Sequence, residues 1–116
     1  MKPEQFIREY GVEKAREVVE GAPDGHKGYN GVINQYTRGV WFSRDVMLSD
    51  LKRLVESVEL ISLFGSIKIA KDKVKMADFN GFLLVSVPIE NGLADVYIHK
   101  VEQAIRDHES IYGEEQ

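Results

Sequence analysis

The sequence predicts an α+β fold made of two pseudo-repeats, each a short helix, a β-hairpin and a long helix. About four strands are expected in one antiparallel sheet with the helices packed on one side. Three observations carry this: a long amphipathic helical stretch, two hairpin-like runs that open alike (YNGV and FNGF), and a shift of fifty positions that lays one half of the chain on the other.

The helix is the clearest element. In LSDLKRLVESVELISLFG, Leu51, Leu54, Val55, Val58 and Ile61 recur at the spacing of one buried stripe, while Lys52, Arg53, Glu56 and Glu59 take the opposite face. Ser49 is expected to cap its start, and Gly65 to supply the left-handed residue that ends it. Fifty positions on, IHKVEQAIRDHESI puts Val101, Ala104, Ile105, His108 and Ile111 on the same stripe. The same shift carries Asn30-Gly31 onto Asn80-Gly81 and Asp45-Val46 onto Asp95-Val96. Near the start, FIREYGVEKAREVV resembles LISLFGSIKIAKDKV in the middle, with Ile7, Tyr10, Gly11 and Ala15 answering to Ile61, Phe64, Gly65 and Ala70. The repeats are expected over about 6–64 and 60–113 of a single domain, 1–116. Chance coincidence of common turn and helix-stop residues is the alternative, and it leaves the order of elements unchanged.

The first hairpin is expected from Val32–Tyr36 and Val40–Ser43 around Thr37-Arg38-Gly39, and the second from FLLVSVPI and LADVYI around Glu90-Asn91-Gly92. Pro88 cannot donate to a ladder, which places it at an edge or beside the turn. EGAPDGHKGYNG, with four glycines and a proline, reads as a loop.

The composition excludes several functions. With no cysteine there is no disulfide, thiolate metal site or cysteine nucleophile. No run of about 18 apolar residues marks a membrane helix. The charged opening MKPEQFIREYG lacks the apolar centre of a secretion signal, so a cytoplasmic protein is expected. A net charge of −4 argues against a surface that is basic throughout. Lysines 68, 71, 73 and 75 form a local basic run, and the last helix and tail are acidic; both read first as solvated helix faces.

Catalytic motifs are absent. There is no nucleophile elbow, and GAPDGHKG lacks both the Lys-Ser/Thr ending and the preceding strand of a phosphate loop. His99 and Glu102 share a helix face and His26 lies in the loop, but nothing in the spacing brings them together, and His108 falls on the apolar stripe. No cofactor, metal or catalytic residue is therefore assigned. The candidate binding residues are Tyr36, Arg38, Trp41 and Arg44 of the first hairpin, with Phe42 beside them, and Lys71 of the basic run. Large aromatics on both faces of one hairpin leave apolar area for another protein or a second copy of the chain to cover, and this is the leading reading. Interleaved aromatic and basic side chains also suit single-stranded nucleic acid, which is the alternative.

Three segments, PEQFIREYGVEKAREVVEGAP, LSDLKRLVESVELISLFG and AIRDHESIYG, resemble the uncharacterised accessory proteins encoded in the early regions of lambdoid phages and enterobacterial prophages. The resemblance spans about half the chain and leaves the hairpins unmatched. It implies expression in the cytoplasm of a bacterial host and action on a host factor. It implies no reaction, cofactor or catalytic residue.

Overall fold

A computed structural model describes residues 1–113. In chain order its elements are α1 (Pro3–Tyr10), α2 (Val12–Glu20), β1 (Gly28–Asn30), β2 (Gln35–Thr37), β3 (Asp45–Met47), α3 (Leu48–Phe64), α4 (Ile67–Phe79), β4 (Leu84–Ile89), β5 (Gly92–Tyr97) and α5 (Ile98–Tyr112). The α+β class is thus as expected. The backbone gathers into two compact units, Met1–Val55 and Glu56–Gln116, with the boundary inside α3.

Glycine breaks the helices where the sequence placed it. Gly11 separates α1 from α2 at φ +90°, and Gly65 ends α3 at φ +104°. A side chain at either position would hold a left-handed backbone that only glycine adopts at low cost. Ser66 then caps α4, its hydroxyl accepting from the Ile69 N–H at 3.2 Å. Ser49 does not act as a cap, because α3 already begins at Leu48. β3 runs straight into this helix, and the Leu48 N–H, which has no intrahelical acceptor, donates to the Lys27 carbonyl at 2.8 Å. In the second unit β5 runs into α5 in the same way, with the Ile98 N–H donating to the Leu83 carbonyl at 2.9 Å.

The strands differ from expectation. In place of one sheet of about four, the first unit holds a three-stranded antiparallel sheet in the order β2-β1-β3 and the second a two-stranded one, β4-β5. Tyr29 pairs with Tyr36 on one side and Val46 on the other, so part of the presumed glycine-rich loop is the central strand. Val32 and Ile33 form a turn instead of a strand, and Val40–Ser43 is a loop. The reason is local: side chains of Asn30 and Asp45 capture the N–H groups of Val32, Ile33, Trp41 and Phe42, and a side-chain bond to the backbone competes with the ladder. The second hairpin forms as expected, with Glu90-Asn91 as a two-residue turn before Gly92.

Each unit buries its own core. In the first, Phe6, Ile7, Ala15, Val18, Tyr29, Val46, Leu51 and Leu54 are buried. In the second, Ile61, Phe64, Ile67, Ala70, Ala77, Val85, Val87, Val101, Ala104 and Ile105 form one cluster. A buried polar pair accompanies it, Ser57 Oγ donating to Asp107 Oδ2 at 2.6 Å, with Gln103 Nε2 donating to the other carboxylate oxygen at 3.0 Å. Among the described residues no helix is long and apolar enough to cross a membrane.

The Gly11 hinge yields a direct check. A Cβ there would meet no atom within 4 Å, so Gly11→Ala costs only backbone strain. It should destabilise the first unit by about 1–2 kcal/mol in urea unfolding. An unchanged midpoint would show that Gly11 does not hold this conformation in solution.

Candidate functional site

The first unit carries a buried polar pair, Asn30 at the end of β1 and Asp45 at the start of β3, opposite one another in the sheet. Asn30 Nδ2 donates to Asp45 Oδ1 at 2.9 Å. The remaining oxygen of each side chain turns to backbone. Asn30 Oδ1 accepts from the Val32 and Ile33 N–H groups at 3.0 and 3.3 Å, and Asp45 Oδ2 accepts from those of Trp41 and Phe42 at 3.0 Å each. The network also assigns the Asn30 amide, since the reversed orientation would set its nitrogen against two donors.

Burial alone would push the Asp45 carboxyl up. The N–H groups of Phe42 and Trp41 and the Asn30 amide outweigh it and hold Asp45 below the ordinary carboxylate value. A buried carboxylate that is hydrogen-bonded on both oxygens is tolerated; one stripped of its donors is not.

The four residues held by this pair are all apolar and all exposed: Val32 at 62%, Ile33 at 58%, Trp41 at 68% and Phe42 at 69%. Both turns lie at the same end of the sheet, because Asn30 and Asp45 are register partners there. Tyr10 borders both. A Cβ at Gly31 would come within 2.8 Å of its ring, and its hydroxyl lies 3.4 Å from Arg44 Nη2. Asn34, at φ +52°, closes the first turn in the left-handed region that asparagine tolerates, and the Tyr29 hydroxyl donates to its Oδ1 at 2.6 Å. On the other turn the Trp41 indole lies over Gly39, where a Cβ would come within 3.0 Å of Nε1.

The residues chosen from sequence occupy different settings. Trp41 and Arg38 are exposed, on the loop after β2. Tyr36 is turned into the unit: its hydroxyl donates to the Val18 carbonyl at 2.7 Å, its ring meets Tyr29 edge-on at 4.9 Å, and burial raises its pKa. Arg44 is engaged with Glu9 Oε2 at 2.7 Å, which raises the arginine pKa and lowers that of Glu9. Lys71 belongs to the second unit, pairs with Glu109 at 2.9 Å, and lines a hollow of about 260 Å³ together with Lys75, Asp78, Glu102 and Arg106. His108 is half-buried beside Tyr112, and His99 stacks on Tyr97. Among the described residues no three histidine or carboxylate side chains gather as a metal site.

Sequence reasoning missed Val32, Ile33 and the Asn30–Asp45 pair. The available signal was Asn-Gly at 30–31, which marks a turn at that point and not the start of a strand. No protein family, curated protein or solved structure matches the chain.

Asp45→Ala should cost the first unit about 2–4 kcal/mol, since it strips a partner from three donors at once. Because the folded-state pKa of Asp45 is lowered, its contribution is present above the unfolded value of about 4 and is lost as pH falls through the folded one. Acid titration followed by the fluorescence of Trp41, the single tryptophan, should therefore lose native signal below about pH 4. The Asp45→Asn variant should show a shallower acid dependence.

Proposed function

We propose that this chain is a non-enzymatic protein-binding module, and that its binding surface is the apolar cluster Trp41, Phe42, Val32 and Ile33 at one end of the first sheet. The observation that carries the reading is the hydrogen-bonded support beneath four exposed apolar side chains. Exposed tryptophan and phenylalanine are costly to hold in water, and they are residue types that dominate binding energy when a partner covers them. Side chains on a pre-formed backbone lose less entropy on binding than side chains on a free loop. The partner is a protein with an apolar concavity for the indole and phenyl rings, ringed by polar groups facing Arg38 and the Arg44–Glu9 pair.

The sequence resemblance adds a setting: a phage or prophage accessory protein acting on a host factor in the bacterial cytoplasm. Duplication of one ancestral unit belongs to the same proposal. It is supported by α3 and α5 starting at Leu48 and Ile98, by the parallel strand-to-helix bonds, and by the matching buried stripes of the two helices. Nucleic-acid binding has less support. Of the residues it needs, Tyr36, Arg44 and Lys71 are already engaged within their own units.

The test is capture from nuclease-treated enterobacterial lysate by immobilised protein, followed by reconstitution with the purified partner. Wild type should retain one protein directly, and Trp41→Ala or Phe42→Ala should weaken that complex by about tenfold or more. Equal retention by both variants, or salt-sensitive binding to single-stranded DNA with no protein partner, would overturn the proposal.

A further inference from the structure

The second unit presents an edge of a different kind. Its sheet has only two strands, and their register pairs Leu84 with Tyr97, Ser86 with Asp95 and Pro88 with Leu93. The bond from the Ile98 N–H to the Leu83 carbonyl fixes the alternation, because that pair and every second pair after it (Val85 with Val96, Val87 with Ala94, Ile89 with Gly92) exchange the ladder bonds. The main-chain groups of Leu84, Ser86 and Pro88 therefore point away from β5, and those of Leu93, Asp95 and Tyr97 point away from β4.

The two outer edges are unequal. On β4, Pro88 has no N–H to offer and the Ser86 carbonyl accepts from Lys73 Nζ at 3.3 Å. Proline and lysine are the devices that blunt an edge strand against further pairing. β5 has neither. Among the described residues no backbone group pairs with its outer edge, and its side chains there are Leu93, exposed at 69%, Asp95, and Tyr97, exposed at 59%. The core also thins in this direction: Val85 and Val87 of β4 are buried, whereas Ala94 and Val96 on the same face of β5 are only half-buried.

We infer that β5 pairs antiparallel with β5 of a second copy of the chain, joining two hairpins into a four-stranded sheet across a two-fold axis at Asp95. Among the described residues the second unit's sheet has one unblunted edge, and this selects the occupant. A single edge closes on itself as an isologous dimer and stops, whereas two open edges would propagate a fibre. The residue order is self-complementary about Asp95. Each Asp95 N–H reaches the carbonyl of the partner's Asp95, each Tyr97 N–H reaches the carbonyl of the partner's Leu93, and each leucine side chain lies across from a tyrosine on the same face. The Tyr97 carbonyl stands at the N-cap of α5 and is left to the helix. The one opposing feature is the Asp95 pair itself, two like charges directly across the axis, which keeps the association weak and reversible.

The test is sedimentation equilibrium of the full chain up to roughly 100 μM, in the affinity range such an edge supports. Wild type should be a monomer–dimer equilibrium. Leu93→Lys, at an exposed position that does not disturb the fold, should weaken it about tenfold or more, and Asp95→Asn should tighten it about two- to threefold. Leu84→Lys on the blunted edge and Trp41→Ala in the other unit should leave it unchanged, which separates this interface from the surface proposed above. Far-UV circular dichroism establishes that each variant is folded. A monomer throughout, a dimer indifferent to Leu93→Lys, weaker association of Asp95→Asn, or a monomer that instead captures an extended peptide would each overturn the inference.

Discussion

The bond between Asn30 Nδ2 and Asp45 Oδ1 is the constraint on which the first unit depends. It ties the end of β1 to the start of β3 inside a sheet whose strands are each only three residues long. Strands this short make few ladder bonds, and the two side chains supply bonds that the ladder cannot, one set to each of the flanking turns. A buried polar network of this kind is costly if any member is unsatisfied and specific when all are satisfied. The same groups that fix the backbone also turn four apolar side chains outward, so folding and display come from one set of interactions.

This explains which parts of the fold could be read from the sequence. The stripes of α3 and α5 were legible because Leu51, Leu54, Val55 and Ile61, and their counterparts Val101, Ala104, Ile105 and Ile111, are buried by spacing alone. The stops at Gly11 and Gly65 were legible because a left-handed residue needs glycine. Their shared logic extends to the second hairpin, whose two-residue turn before Gly92 is set by local chemistry. The first sheet was misread because Val32, Ile33, Val40, Trp41 and Phe42 have the β-branched and aromatic character of strands. What moves Val32, Ile33, Trp41 and Phe42 into turns is the capture of their N–H groups by Asn30 and Asp45, and the bond that ties those two side chains together spans fifteen positions, more than a window of local propensity contains.

The candidate site was legible in the same uneven way. Trp41 and Arg38 were found because aromatic and basic residues interleave along this stretch. Tyr36 was included as one of the interleaved aromatics, yet a tyrosine next to a helix-end carbonyl gains a hydrogen bond by turning inward. Arg44 and Lys71 were chosen as candidate binding residues, but Glu9 and Glu109 lie 35 and 38 positions away in sequence and come close only in the fold. Charge pairing across such distances leaves no pattern in a single sequence.

The central claim is that Trp41 and Phe42 sit on a backbone held by Asp45 and not on a free loop. Amide hydrogen exchange at those two residues tests it most directly, because their N–H groups donate to a buried carboxylate while their side chains lie in water. The account predicts exchange slowed by about two orders of magnitude or more relative to an unstructured peptide, with the protection lost in Asp45→Ala. Exchange at the unstructured rate in the wild-type protein would contradict it.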